Sequence, residues 1–188
     1  MILHPPRALI LIGPPGAGCS SVGRSIGAIE GLLVLDLGRR VADELGTSPE
    51  LALVAVPEAD YRRVEARVAC QVLDHAVAQG AVVALGSGCL GDPRIGRRLE
   101  ELRLVHDRSC QIVALACATR VLATRNGLDA PRSVALGTVH HQFVQMLHER
   151  QARCRELADT IIDTSATTPE EAGEQVIRAV EAGFSHHS

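Results

Sequence analysis

The residues whose types and spacing point to chemistry form a glycine-rich segment, residues 13–20 with the sequence GPPGAGCS. It follows the phosphate-binding loop G-x-x-x-x-G-K-[ST] at every defined position but one. Glycines let successive backbone N–H groups point at one phosphate group, and the N-terminus of the helix that follows adds its dipole. The segment therefore predicts a nucleotide-phosphate site, with a plain glycine turn as the alternative. The predicted contacts are Gly13, Gly16, Ala17, Gly18, Cys19, Ser20 and Ser21.

One position of this loop departs from the pattern, because Cys19 stands where lysine is expected. That lysine bridges the β- and γ-phosphates and neutralises charge as the γ-phosphoryl group is transferred. The chain contains no lysine, and Arg24, one helical turn further on, is the nearest cation in the sequence. Loss of such a donor costs about 10²–10³ in rate. A thiolate, which a helix N-terminus favours, would also repel phosphate.

Short apolar runs alternate with amphipathic stretches along the whole chain. Runs of this kind, closed by Gly, Asp or Ser, are typical of strands that are buried on both faces of a parallel sheet. The stretches between them show helical spacing, and residues 168–171 have the pattern of a capping box that opens the last helix. The alternation predicts an α/β fold with right-handed crossovers. The expected strands cover residues 8–12, 32–35, 81–85, 111–116 and 160–162.

Composition narrows the classes of function. The chain has 188 residues, 46% of them hydrophobic and 22% charged, which predicts one domain over residues 1–188 with a buried core. The net charge of −3 and the scarcity of aromatic residues argue against a nucleic-acid partner. No apolar run is long enough for a membrane span or a signal peptide. Six cysteines without metal-ligand spacing predict free thiols in the cytoplasm.

Further motifs are spread along the chain beyond the loop. They are Asp36-Leu37-Gly38, Tyr61-Arg62-Arg63-Val64-Glu65, Leu85-Gly86-Ser87-Gly88, Arg125-Asn126-Gly127 and Glu149-Arg150. Together with the loop they resemble the shikimate kinase family from about Ala8 to Val180. The resemblance implies an α/β fold with a five-stranded parallel sheet, in a three-layer sandwich like that of the nucleoside monophosphate kinases, with a lid at about residues 125–137. It also implies transfer of the γ-phosphoryl group of ATP to the 3-hydroxyl of shikimate, with Mg²⁺.

The resemblance also implies roles for individual residues. Ser20 and Asp36 would hold Mg²⁺, and Arg132 in the lid would act with Asp36 in catalysis by closing over the phosphates. Arg62 and Arg150 would bind the carboxylate of the substrate. The expected ligand contacts are Asp36, Gly38, Arg62, Gly86, Ser87, Gly88 and Arg150 for the substrate, and Arg125 for adenine. Taken on its own, Arg150 on an apolar helical stripe fits a structural salt bridge equally well.

Two departures from the family pattern affect the chemistry itself. Gly38 replaces the second acid of an Asp-x-Asp pair, which in the family orients the substrate and accepts its proton, and Cys19 replaces the lysine. Loss of a general base costs about 10²–10⁴ in rate. Three hypotheses stay open. The first is a degenerate homologue that binds ligands with weak or no turnover and serves a protein partner. The second is a kinase for another small polyol or acid, which would explain Gly38 and Ser87 as a reshaped pocket but leaves Cys19 unexplained. The third is a competent shikimate kinase.

Overall fold

A five-stranded parallel sheet forms the centre of the structure, a computed structural model that describes residues 8–104, 110–127 and 134–185. The strand order is β2-β3-β1-β4-β5, and all four strand pairs are parallel. The strands are β1 (Ala8–Ile12), β2 (Val34–Asp36), β3 (Val82–Ala84), β4 (Cys110–Ala116) and β5 (Thr160–Asp163). Each predicted run overlaps one strand, so the predicted sheet is confirmed.

Eight α-helices of the described ranges connect and flank the strands. They are α1 (Cys19–Glu30), α2 (Leu37–Glu44), α3 (Ala52–Ala55), α4 (Glu58–Gln79), α5 (Pro93–Leu104), α6 (Thr119–Arg125), α7 (Val134–Leu157) and α8 (Pro169–Ser185). A 3₁₀ turn at Gly88–Gly91 separates β3 from α5. Every strand except β3 is followed directly by an α-helix, which is the α/β alternation that the sequence predicts.

Side chains of β1 alternate between two hydrophobic cores, one on each face of the sheet. Ile10 and Ile12 belong to the core that α2, α4 and α5 cover. Leu9 and Leu11 belong to the core that α1 and α8 cover. Because helices cover both faces, the sheet is the middle layer of three, as predicted. Burial of this apolar surface, at about 25 cal/mol per Å², is the main favourable term in folding.

The carboxyl ends of the parallel strands meet at one edge of the sheet. The glycine-rich loop follows β1, Asp36 ends β2, residues 85–87 follow β3 and Thr164 follows β5. In open α/β sheets, ligands bind at this edge, at the point where the strand order reverses. Since β1 has β3 on one side and β4 on the other, that point lies at the loop after β1.

The predicted lid at residues 125–137 is only partly covered by the described residues. Helix α6 ends at Arg125, and α7 begins at Val134. Residues 128–133, with Arg132, lie outside the described residues, so the lid and the role expected of Arg132 stay predictions. Among the helices that are described, none is both long and apolar enough to cross a membrane.

The first turn of α8 carries the predicted capping box. The Thr168 N–H donates to the Glu171 carboxylate at 2.8 Å, and the Glu171 N–H donates to Thr168 Oγ1 at 3.2 Å. We expect Thr168→Ala to lower the free energy of unfolding by about 1 kcal/mol, because it removes the side-chain acceptor of the cap. Urea denaturation measures this change. Thr168→Ser keeps the hydroxyl group and should match wild type, whereas an alanine variant of wild-type stability would contradict the contribution of the cap.

Candidate functional site

The loop between β1 and α1 has a backbone that requires glycine at several positions. Gly16 and Gly18 have φ values of +85° and +100°, in the left-handed region that side chains disfavour. A Cβ atom on Gly13 would lie 2.9 Å from the carbonyl oxygen of Leu115 in β4. Backbone shape and close packing against the next strand therefore explain the glycines of the sequence pattern.

Three side chains hold the carbonyl groups of this loop. Asn126 Nδ2 donates to the Pro15 carbonyl at 3.0 Å, and the Arg125 guanidinium donates to the Gly16 carbonyl at 3.0 Å. Thr164 Oγ1 donates to the Ala17 carbonyl at 2.9 Å. These side chains come from the end of α6 and from the residue after β5. The orientation of the loop is therefore set by two elements that are far from it in the sequence.

The N–H groups of the loop are left for a ligand. In a trans peptide unit the N–H points away from the preceding carbonyl group. Holding the Pro15 and Ala17 carbonyls therefore turns the Gly16 and Gly18 N–H groups to the opposite side. Within the described residues, these two N–H groups and that of Ser20 donate to no acceptor. Free N–H groups at the start of a helix form an anion site.

The loop faces a cavity of about 580 Å³ at the carboxyl edge of the sheet. It is lined by residues 13–22, 86–88, 167–169, Arg125, Arg150, Thr164 and Ala172. The structure thus brings the predicted nucleotide contacts, from Gly13 to Ser21 and Arg125, into one cavity with four predicted substrate contacts. These four are Gly86, Ser87, Gly88 and Arg150. Asp36, Gly38 and Arg62 are not among the lining residues.

Cys19, in place of the lysine, carries a neutral thiol. Burial raises its pKa to about 12, and this outweighs the hydrogen bonds from the N–H groups of Gly86 and of Cys19 itself, which lower the pKa. The expectation that the helix N-terminus stabilises a thiolate is therefore wrong, because the loss of hydration is the larger effect. The side chain neither repels phosphate nor neutralises its charge.

Arg62 is held by carboxylates at the edge of the cavity. Its guanidinium donates to Glu65 at 2.9 Å and lies 3.5 Å from the Glu58 carboxylate. It also lies over the ring of Tyr61, 5.5 Å from the centroid. Glu65 is only 6% exposed, so this ion pair is shielded from solvent on the glutamate side. The buried carboxylate fixes the position of the guanidinium, whose remaining donors stay free.

Arg150 lines the cavity as a half-buried cation. Burial, and after it the positive charge of Arg62, lower its pKa. Within the described residues it makes no hydrogen bond or ion pair, so the structural salt bridge considered above is not found there. Arg24, the nearest cation in the sequence, is instead exposed and donates to Ser21 Oγ at 3.3 Å.

Asp36 and Ser20 have the oxygen ligands that Mg²⁺ prefers. Asp36 caps α2 through a hydrogen bond of 3.3 Å from the Arg39 N–H to Oδ1, which leaves Oδ2 available. Asp36 ends β2 at the same edge of the sheet as the loop, and its charge is one of the smaller effects that raise the pKa of Cys19. Within the described residues, no three His, Cys, Asp or Glu side chains form a metal cage. Mg²⁺ that is bound through nucleotide phosphates needs only one or two protein ligands, and these two residues fit that requirement.

Comparisons with known proteins relate this cavity to one family. The family described as Shikimate kinase matches residues 15–181. The chain belongs to the shikimate kinase family. A shikimate kinase from Thermobifida fusca (strain YX) is 30% identical over 173 residues, which cover 92% of this chain and 94% of that protein.

Solved structures with the same fold include other small-molecule kinases. The shikimate kinase from Acinetobacter baumannii in complex with shikimate has a TM-score of 0.72 and 20% sequence identity, over 94% of each chain. A gluconokinase from Sinorhizobium meliloti 1021 has a TM-score of 0.59 and 18% identity, over 97% of this chain and 98% of that one. At these identities the likeness concerns the fold, which agrees with the predicted P-loop kinase architecture.

The sequence analysis assigned no role to three residues of this site. Thr164 and Asn126 hold the loop, and Thr167 lines the cavity. Thr164 could have been found from its position, because it directly follows a predicted strand at the edge where ligands bind. Asn126 was part of the motif Arg125-Asn126-Gly127, which gave its place but not its contact with Pro15. Thr167 carries no such signal, since polar residues in turns are common.

The raised pKa of Cys19 predicts slow alkylation. Because the thiolate is the nucleophile, a thiol whose pKa is about 12 reacts slowly near neutral pH and faster as the pH rises towards that value. We expect peptide mapping after iodoacetamide treatment at about pH 8 to find Cys70 labelled before Cys19. Cys70 is the matched reference, since both side chains are half-buried. Preferential labelling of Cys19 would contradict the neutral thiol.

Proposed function

We propose that this member of the shikimate kinase family binds a magnesium nucleotide and shikimate, or a similar small carboxylated polyol, and transfers the phosphoryl group weakly or not at all. The proposal rests on a contrast within the phosphate loop between its backbone N–H groups and the side chain of Cys19. The N–H groups of Gly16, Gly18 and Ser20 are free to bind phosphate, whereas Cys19 presents a neutral thiol where a cation is required. Binding is retained and charge neutralisation is lost.

Each part of the cavity has a role in this proposal. The loop N–H groups bind the nucleotide phosphates, and Ser20 and Asp36 would hold the Mg²⁺, whose charge lowers the repulsion between phosphate oxygens. At the other end, Arg150 has no partner among the described residues, and Arg62 is held by Glu65. Two neighbouring guanidinium groups bind a carboxylate through paired, charge-assisted hydrogen bonds. We further propose that Arg132 contacts the phosphates.

The weak turnover follows from two absent groups. Loss of a preorganised cation costs about 10²–10³ in rate, and loss of a general base costs about 10²–10⁴. Their combined cost is about 10⁴–10⁷ if the two act independently, which neighbouring groups seldom do. Gly38 is exposed and has no carboxylate, and Arg125 is engaged by the Gly16 and Thr164 carbonyls. Neither residue therefore replaces what is absent.

A second candidate is an active kinase for a different small polyol. The observation in its favour is Ser87, whose buried hydroxyl lines the cavity where the family has a glycine. A competent shikimate kinase ranks third, because it leaves Cys19 unexplained. We also propose a cytoplasmic location, where the six free thiols stay reduced, and a protein partner if turnover is absent.

Ligand titration and turnover separate these candidates. We expect calorimetry to detect binding of Mg·ADP and of shikimate, and a coupled assay to show no ATP hydrolysis above background when shikimate is added. Arg150→Gln should weaken shikimate binding by about tenfold or more, because it removes a charge-assisted contact. Arg178→Gln is the matched control, since Arg178 is exposed, lies outside the cavity lining and pairs with Glu174. Robust shikimate-dependent turnover would overturn the proposal.

Restoring the two absent groups should restore transfer. We expect Cys19→Lys to tighten ATP binding, and Cys19→Lys combined with Gly38→Asp to raise phosphoryl transfer to shikimate by about 10² or more. An added Cβ on Gly38 would make only an ordinary contact of 3.5 Å with Asp36 Oδ1, so an aspartate fits there. Cys19→Ser is the control that changes the side chain without adding charge. A double variant without any gain would contradict the assignment of the defect to these positions.

A further inference from the structure

Two buried side-chain oxygens within the described residues have no hydrogen-bond partner, Ser87 Oγ and Thr167 Oγ1. Both residues line the same cavity. An unsatisfied buried polar group is costly, and one at a functional site points to a partner that is supplied by a ligand. Because both hydroxyl groups lie in the same cavity, we interpret them as ligand contacts.

Ser87 lies between the two ends of this cavity. On its N-terminal side, the Gly86 N–H contacts the thiol of Cys19 in the phosphate loop. On its C-terminal side, a Cβ on Gly88 would lie 2.5 Å from Glu65 Oε1 and 3.4 Å from the Arg62 guanidinium. Ser87 is therefore placed between the phosphate loop and the two arginines, where an acceptor molecule must present the hydroxyl group that faces the nucleotide.

The environment of Ser87 favours a neutral oxygen as its partner. The residue is 6% exposed, and its φ of −123° and ψ of −3° are ordinary values for serine. The guanidinium groups of Arg62 and Arg150 already supply charge for a carboxylate. The serine hydroxyl group is an uncharged donor and acceptor. It can therefore distinguish a ring hydroxyl group of a polyol from a hydrogen atom at the same position.

We propose that the Ser87 hydroxyl is a specificity-determining contact, which hydrogen-bonds a ring hydroxyl of a small carboxylated polyol. The inference rests on the proposed function and extends it, because it names the side chain that recognises the hydroxyl groups of the acceptor molecule. A glycine at this position offers only its backbone, so the serine makes the site more selective for a hydroxylated ring over its deoxy analogue. A site with a hydrogen-bonding group rejects a ligand that leaves this group unpaired.

The test compares Ser87→Ala and Ser87→Gly with wild type, using shikimate and a deoxy analogue that lacks one ring hydroxyl as probes in calorimetry. We expect both variants to bind shikimate about three- to tenfold more weakly, the range of one neutral hydrogen bond. We also expect them to discriminate less between shikimate and the analogue. The melting temperature of unliganded Ser87→Ala should not fall, because the removed hydroxyl has no hydrogen-bond partner among the described residues. Ser25→Ala, at a serine outside the cavity lining, is the control.

The outcomes separate this inference from the function on which it rests. Variants that bind shikimate as tightly as wild type, or that keep the same preference over the analogue, overturn the role of Ser87 alone. If the loss of affinity only parallels a lower melting temperature, the serine has a structural role. This outcome also overturns the proposed ligand contact of Ser87. A wild-type protein that does not bind shikimate overturns the proposed function, and the inference with it.

Discussion

The site depends on how three side chains hold the carbonyl groups of the phosphate loop. Because peptide units are planar and trans, fixing the Pro15 and Ala17 carbonyls also fixes the N–H groups that follow them. Asn126 and Thr164 make these contacts, and both are well over 100 positions from the loop in the sequence. The N–H groups are thus already oriented in the unliganded protein, so a phosphate would be bound without the cost of reordering the backbone.

A lysine in this loop would both bind the phosphate group and stabilise the charge that develops during its transfer. These two functions need different groups. Backbone N–H groups attract an anion through partial charges and geometry, and this requires no particular side chain at position 19. Stabilising the charge that develops during transfer requires a full positive charge at a fixed place, which a neutral thiol does not provide. Under the proposed function, Cys19 in place of lysine would therefore affect the reaction far more than the shape of the site, because the backbone of the loop has the glycine conformations of the pattern.

Charge is distributed unevenly along the cavity. One end holds Arg150, and the Arg62 guanidinium, paired with the buried Glu65, lies close to Gly88 of the cavity lining. The carboxylate offsets part of the repulsion between the guanidinium groups and holds one of them in place. An incoming carboxylate would complete this balance. The phosphate end combines the N–H dipoles of the loop with the guanidinium of Arg125, which is bonded to the Gly16 carbonyl.

Local patterns in the chain were sufficient for the fold class and for most residues of the cavity. Apolar runs and glycine spacing report burial and backbone shape, which depend mainly on near neighbours in the sequence, so the five strands and the loop were predicted and found. Three features emerged only from the packed structure. They are the neutral state of Cys19, the guanidinium of Arg150 without a partner among the described residues, and the contacts of Asn126 and Thr164. Hydration and choice of partner are set by residues that folding brings together from distant parts of the chain, and no local pattern records them.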